Sequence, residues 1–112
     1  MQLDGLAKTP TPPYYAVIFT SRRSPVEAGY GDTAKRMLEL AVDQPGFLGV
    51  DSARENGLGI TVSYWENLEA IAAWKRNLEH RQAQAAGKKT WYDEYQVRVA
   101  KVERDDHFAR VQ

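Results

Sequence analysis

The segment from residue 63 to residue 95 holds most of the side chains that could do chemistry. It contains all three tryptophans of the chain, one of its two histidines and several tyrosines. These include Trp65, Trp74, Trp91, His80, Tyr64 and Tyr95. Histidine has an ordinary pKa close to neutral pH, so His80 is the best candidate for a proton acceptor. Aromatic surface at this density either builds a core or lines a pocket for a flat apolar ligand.

The composition excludes several classes of function. The chain has 112 residues, a common size for one domain, and its 15 basic residues balance its 15 acidic ones without a basic stripe, which predicts no nucleic-acid partner. The absence of cysteine excludes disulfides, thiolate metal sites and cysteine nucleophiles. We find no metal-binding or phosphate-binding motif and therefore predict no metal and no cofactor. No apolar run approaches the roughly 18 residues of a membrane span, and no signal peptide is evident, so we expect no membrane association and a cytoplasmic location.

The elements that must position these side chains alternate in a βαββαβ order. Strand patterns cover residues 14–20, 47–54, 58–65 and 94–103, and helix patterns cover 32–43 and the stretch from Asn67 to about Gly87. Asp32 and Asn67 are the predicted N-caps, and Glu55-Asn56-Gly57 is a hairpin signal. The order predicts an α+β, ferredoxin-like domain with an antiparallel sheet.

The first strand is apolar on both faces, which has a consequence for assembly. Tyr15, Val17 and Phe19 alternate with Ala16 and Ile18. Two helices cover one face of such a sheet, so the other face would expose an apolar patch. We therefore predict a homodimer that packs through the uncovered sheet face. Proline is concentrated before this strand, and we expect residues 1–13 to be an extended arm, 14–104 the domain and 105–112 an unassigned tail.

The direction of His80 depends on whether the second helix is continuous. In an unbroken helix, an apolar centre near Ile71, Lys75 and Leu78 would leave His80 facing solvent. Asn77 is a good N-cap residue, and a break there would reset the helical phase and could turn His80 inward. The sequence leaves both arrangements open.

On these residues, the chain resembles the antibiotic biosynthesis monooxygenase family of dimeric α/β barrels. The likeness covers about residues 14–104. Its features are Tyr64-Trp65 at the end of the third strand, Trp74, His80-Arg81, Ala83-Gln84, Gly87, Trp91-Tyr92, Tyr95, and Val99, Val102 and Glu103 in the last strand. The family includes cofactor-free oxygenases of aromatic polyketides, heme-degrading enzymes and proteins of unknown role.

The resemblance implies a monooxygenase that acts on a small apolar, aromatic compound without a cofactor. An electron-rich phenol or anthrone that loses a proton becomes an anion able to pass an electron to O2. Such an enzyme needs an apolar pocket, a proton acceptor and a hydrogen-bond donor. The predicted catalytic residue is His80, and the predicted substrate-binding residues are Trp74, Trp65, Tyr64, Gln84, Trp91, Tyr95 and Arg98.

Two other functions are compatible with the same fold. Heme-degrading relatives combine a tryptophan of the second helix with an asparagine on the first strand and a histidine about three turns beyond the tryptophan. Trp74 matches, but Ile18 and Gln84 stand at the other two positions, which makes heme degradation the weaker hypothesis. The alternative from another class is a non-catalytic small-molecule-binding or stress-associated protein. The orientation of His80 distinguishes it from an enzyme.

Overall fold

Four antiparallel strands form one sheet in the order β2-β3-β1-β4 in the computed structural model, which describes residues 5–111. The elements are β1 (Tyr14–Arg23), α1 (Tyr30–Val42), β2 (Phe47–Glu55), β3 (Leu58–Trp65), α2 (Leu68–Arg76), α3 (Leu78–Ala86) and β4 (Tyr92–Val102). A π-helical turn, Gly87–Trp91, links α3 to β4. The architecture is the predicted α+β ferredoxin-like arrangement, with the second helix divided in two.

The β2–β3 hairpin follows its sequence signal, whereas the start of α1 does not. Asn56 and Gly57 have φ values of 53° and 82°, the positive pair that a tight hairpin turn requires. The predicted cap at Asp32 is wrong, because the helix already begins at Tyr30 after Gly29, whose φ is 81°. Asp32 lies instead in the first turn of α1, where its carboxylate faces the positive end of the helix dipole.

Two asparagines cap the helices that follow β3. The Asn67 side chain accepts a hydrogen bond from the Ala70 backbone N–H at 2.8 Å, as predicted. Asn77 has φ −58° and ψ 125°, which is not helical, and its side chain accepts from the His80 N–H at 3.1 Å. The chain therefore breaks at Asn77, and α3 starts with a new phase.

Strand register divides the side chains between two faces of the sheet. Residues paired across antiparallel strands share a face. The inner face, against which the helices pack, carries the β1–β3 pairs Tyr15–Trp65, Val17–Ser63, Phe19–Thr61 and Ser21–Gly59. The outer face carries Ala16–Tyr64, Ile18–Val62 and Thr20–Ile60.

Flanking segments cover one end of the outer face. The Ala7 backbone N–H and the Tyr64 hydroxyl both donate to the Asp51 carboxylate, at 2.8 and 2.9 Å. The Tyr14 hydroxyl donates to Asp105 at 2.6 Å. Tyr14 is consequently buried, and burial together with the Asp51 hydrogen bond raises the pKa of Tyr64 to about 12. At the other end of this face, Ile60 stays 46% exposed.

The predicted arm and tail have no helix or strand where the structure describes them. Residues 5–13 contain only bends and irregular chain, and residues 103–111 are irregular throughout. Residues 1–4 of the arm and residue 112 of the tail lie outside the described residues. Within residues 5–111, none of the helices has the length and apolar character needed to cross a membrane.

Candidate functional site

Three rings stack where α2 and α3 meet the inner face. The Trp65 indole is fully buried, and the Trp74 ring stacks on it at 6.0 Å between centroids with an interplanar angle of 29°. The His80 imidazole lies on Trp74 at 4.0 Å and 16°. The break at Asn77 makes this contact possible, because it turns His80 back toward the preceding helix instead of toward solvent.

His80 has the protonation state of a base. Its Nδ1 lies 3.0 Å from the Trp74 carbonyl oxygen, which can only accept, so Nδ1 carries the hydrogen. In the neutral ring, Nε2 then holds the free lone pair. Burial lowers the pKa of His80, although the Trp74 carbonyl acts in the opposite direction. The lowered pKa favours the neutral imidazole, which can take up a proton at Nε2.

Next to the stack, the inner face has a strip of small and apolar side chains that the helices do not fully cover. We define the inner strip as Val17 and Phe19 of β1, Thr61 and Ser63 of β3, and Val97 and Val99 of β4, which share this face. Val97 and Val99 are 43% and 51% exposed. The Trp65 Nε1–H donates to the Ser63 hydroxyl at 2.9 Å, which places the stack at one end of the strip.

Helix α3 runs from the stack toward the opposite end of the inner strip. The first turn of α3 brings His80 onto Trp74. The π-helical turn after α3 brings Gly87 against Tyr92, and a Cβ on Gly87 would lie 2.9 Å from the Tyr92 ring. Residues separated by three or four positions share one helical face. Gln84 lies between these two contacts on that same face and is half-buried.

The far end of the inner strip is a second aromatic cluster. Phe19 lies 5.2 Å from Tyr95 and 5.4 Å from Tyr92, measured between ring centroids. Tyr92 also packs edge-on against Tyr30 of α1 at 6.0 Å. Burial, followed by the hydrogen bond with Tyr30, raises the pKa of the Tyr92 phenol, so Tyr92 is a neutral donor or acceptor. The guanidinium of Arg23 lies 3.3 Å above the Tyr30 ring and closes this end.

Arg54 reaches the same end of the inner strip from the edge strand β2, a contribution that the sequence analysis missed. Its side chain crosses β3 above Gly59, donates to the buried Ser21 hydroxyl, and donates to the Gly57 carbonyl at 2.7 Å. A Cβ on Gly59 would collide with the guanidinium. The signal was present in the hairpin register, which sets Arg54 opposite a glycine.

The structure brings together some of the predicted site residues and separates others. Trp65, Trp74, His80 and Tyr95 lie at the inner face, and Gln84 shares the helical face of His80. By contrast, Tyr64 and Arg98 lie on the outer face, since they pair with Ala16 and Ile18, and cannot line the same pocket. Alternation along the strand makes Tyr64 and Trp65 point in opposite directions.

Trp91 lies away from the inner strip, in a groove of about 340 Å³ between α1 and α3. Its Nε1–H donates to the Ala28 carbonyl at 2.9 Å. The groove is lined by Asp32, Thr33, Arg36, Met37, Glu79, Gln82, Ala83, Ala86 and Trp91. Arg36 binds Glu79 across it at 2.6 Å and lowers the pKa of that carboxyl. Across residues 5–111, no three acidic, histidine or cysteine side chains converge as metal ligands.

Comparisons with protein families and with known proteins both find relatives of this chain. Residues 13–86 match the family described as antibiotic biosynthesis monooxygenase. The chain is 57% identical over 107 residues to the uncharacterized protein YqjZ of Bacillus subtilis, covering 95% of this chain and 94% of that protein.

Solved structures of low sequence identity share the fold. SnoaB, a cofactor-independent oxygenase from Streptomyces nogalater whose structure is that of a mutant, superimposes with a TM-score of 0.71 at 12% identity, covering 82% of this chain and 95% of SnoaB. Rv0793 from Mycobacterium tuberculosis gives a TM-score of 0.68 at 13% identity, covering 86% of this chain and 99% of Rv0793.

Proposed function

The chain belongs to the antibiotic biosynthesis monooxygenase family, and we propose that it oxidises a small, apolar aromatic compound with O2 and without a cofactor. The substrate lies on the inner strip, between the sheet and α3. His80 is the catalytic base of this reaction. Trp74 flanks the substrate near the base, and Tyr95 contacts it at the far end.

The observation that carries this proposal is the state of His80. Its Nδ1–H is held by the Trp74 carbonyl, so Nε2 is left as an acceptor in a partly desolvated position. A base whose pKa is lowered by burial, fixed beside an apolar surface, is suited to removing a proton from an activated carbon or a phenol. The lowered pKa also favours the unprotonated form of the base.

The reaction requires only the substrate, O2 and a proton acceptor. Nε2 of His80 takes a proton from the activated CH2 group of an anthrone, and the delocalised carbanion passes one electron to O2. The substrate radical and superoxide combine to form a peroxide at that carbon. His80 returns its proton to the leaving oxygen, and loss of water leaves a carbonyl group. Overall, CH2 and O2 become C=O and H2O, and the substrate supplies the electrons.

One group is placed to stabilise the anion. Gln84 lies four residues after His80 on the same face of α3, and its amide can donate to the oxygen on which negative charge develops. Preorganised donors of this kind act most strongly where water is excluded.

A non-catalytic ligand-binding role is the second candidate, and one observation favours it. The His80 ring lies flat on Trp74 at 4.0 Å, the arrangement expected of a ring that packs one helix against another. In that case the imidazole would serve the packing of α3 against α2. The two functions differ in whether the wild-type protein oxidises a substrate, and in whether that oxidation requires the imidazole of His80 and not only a flat ring.

The test compares His80→Phe with the wild-type protein. Phenylalanine preserves a flat ring on Trp74 but cannot accept a proton. A panel of anthrones and hydroquinones is incubated aerobically and anaerobically, with oxygen consumption and quinone formation as readouts. We expect kcat/KM to fall by about 10²–10⁴-fold, the usual contribution of a general base. His107→Phe, in the exposed tail, is the matched control. Oxygen-dependent turnover that survives in His80→Phe would refute the assignment.

The same proposal includes a homodimer formed through the outer face. An apolar row on this face, Ile18, Val62 and Ile60, is not fully covered by residues 5–13 of the arm, and Ile60 is 46% exposed. We expect sedimentation equilibrium at micromolar concentration to give twice the chain mass of 12.7 kDa. Ile60→Lys should shift the protein toward monomer, because a charge would be buried in the interface. A wild-type protein that sediments only at 12.7 kDa would exclude the dimer.

A further inference from the structure

The guanidinium of Arg54 is a fixed positive charge at the inner face. It is held by the Gly57 carbonyl and by the hydroxyl of Ser21, which is 2% exposed. Gly59 provides the space for it, since no other residue could stand beneath the guanidinium without displacing it. A solvated surface arginine would not need a buried partner or a glycine in the neighbouring strand. The side chain is therefore directed to this position by the local structure.

Most of the donors of Arg54 are uncommitted. A guanidinium has five N–H groups, and the two hydrogen bonds to Gly57 and Ser21 use two of them. Among residues 5–111, no carboxylate lies within salt-bridge distance of Arg54, whereas Arg22, Arg23 and Arg36 each have one. Arg54 is also exposed enough to meet a ligand. Three free donors suffice for the two parallel hydrogen bonds that a carboxylate accepts from arginine.

The charge lies at the end of the inner strip that is opposite to the His80 stack. Ser63, beside the stack, and Gly59, beneath Arg54, are four residues apart on β3, which corresponds to about 13 Å along a strand. The intervening surface carries Thr61 of β3 and the aromatic pair Phe19 and Tyr95, which adjoin Ser21. The charge of Arg54 is felt in this cluster, because it opposes the effect of burial on the pKa of Tyr92.

We propose that the ligand is a flat aromatic acid whose carboxylate binds Arg54, so that its ring system extends along the inner strip toward His80. This inference rests on the proposed function for the location of the ligand. It assigns Arg54 as the residue that determines specificity and Gly59 as the position that keeps Arg54 in place. Two parallel hydrogen bonds fix the long axis of the ligand and present its far ring to Nε2 of the base.

The test compares two nearly isosteric probes, anthracene-2-carboxylate and anthracene-2-carboxamide, which differ in charge. Their dissociation constants are measured by equilibrium dialysis at pH 8 under argon, so that no turnover occurs. We expect the wild-type protein to bind the acid at least about 10-fold more tightly than the amide. This ratio of dissociation constants is the effect expected of a charge-assisted pair of hydrogen bonds at a partly exposed site. Arg54→Gln should reduce this preference to less than about 3-fold and leave the affinity for the amide unchanged.

Two further variants make the result specific. Gly59→Ala should also remove the preference although Arg54 is intact, because the added Cβ displaces the guanidinium. Arg22→Gln is the matched control, since Arg22 is an exposed arginine on the outer face of β1 that pairs with Glu94. The proposal is overturned if the wild-type protein binds acid and amide equally, if it binds neither, or if Arg54→Gln retains the preference.

The failure of this inference can be told from the failure of the proposed function. His80→Phe should abolish oxidation but retain the preference for the acid, because His80 and Arg54 lie at opposite ends of the strip. A retained preference in a protein that never consumes O2 would support the Arg54 site and remove the oxygenase. Oxidation of neutral anthrones without any preference for the acid would support the oxygenase and exclude the Arg54 site.

Discussion

Replacing Asn77 tests whether the break between α2 and α3 creates the site. In Asn77→Ala, the His80 backbone N–H loses its acceptor at 3.1 Å, and α2 and α3 can join into one helix. A continuous helix would rotate His80 away from Trp74. The matched control is Asn67→Ala, which removes a cap of the same chemistry at 2.8 Å from the start of α2 but leaves the break intact.

The two substitutions should differ in free energy of unfolding. Loss of an asparagine N-cap costs about 1 kcal/mol, which is the full effect expected for Asn67→Ala. Asn77→Ala also weakens the His80–Trp74 stack, whose centroid distance of 4.0 Å is typical of a ring pair contributing about 0.5–1.5 kcal/mol. We therefore expect about 1.5–2.5 kcal/mol for Asn77→Ala. At the size of this chain, each kcal/mol lowers Tm by about 4–8 °C.

Urea unfolding followed by circular dichroism measures the stability, and proton NMR titration of the imidazole measures its pKa. Because burial lowers the pKa of His80, opening the stack should raise it toward the ordinary value in Asn77→Ala, but not in Asn67→Ala. Equal stability losses in the two variants, with an unchanged pKa for His80, would refute the reasoning that Asn77 positions the base.

Three other outcomes follow from the same geometry. The folded state binds a proton at His80 less readily than the unfolded state, so the free energy of unfolding should fall as pH drops below about 6.5, the unfolded pKa. Urea unfolding at pH 7.5 and 5.5 should show a smaller fall for His80→Gln than for the wild-type protein. Equal falls in the two proteins would contradict the burial of His80. Heme should not bind tightly, because Ile18 and Gln84 replace the residues that the heme-degrading relatives use; a sharp Soret shift lost in His80→Ala would contradict this. Trp74→Ala should cost less than the about 3–5 kcal/mol of a fully buried tryptophan, because Trp74 is only half-buried, yet should abolish oxidation of anthrones; normal turnover would exclude Trp74 from the site.

The order of elements and the hairpin were accessible from the sequence because they depend on local rules. Alternation and helical spacing are local properties, and the Asn56-Gly57 turn requires positive φ angles that these two residues adopt easily. The sequence also indicated that Asn77 could break the second helix. It could not decide between a broken and a continuous helix, because the choice depends on the gain from stacking His80 on Trp74, which is a tertiary contact.

The composition of the site was decided by the sheet. Residue type made Tyr64, Arg98 and Trp91 candidates, but strand alternation places Tyr64 and Arg98 on the outer face, and Trp91 lies in the groove between α1 and α3. Conversely, the sequence analysis did not select Arg54, and the pairing of β2 with β3 sets it over Gly59. The sequence by itself determined which side chains could do chemistry. Only the register and the packing of the helices determined which of them meet, because contacts between residues distant in the chain depend on the energy of the whole fold.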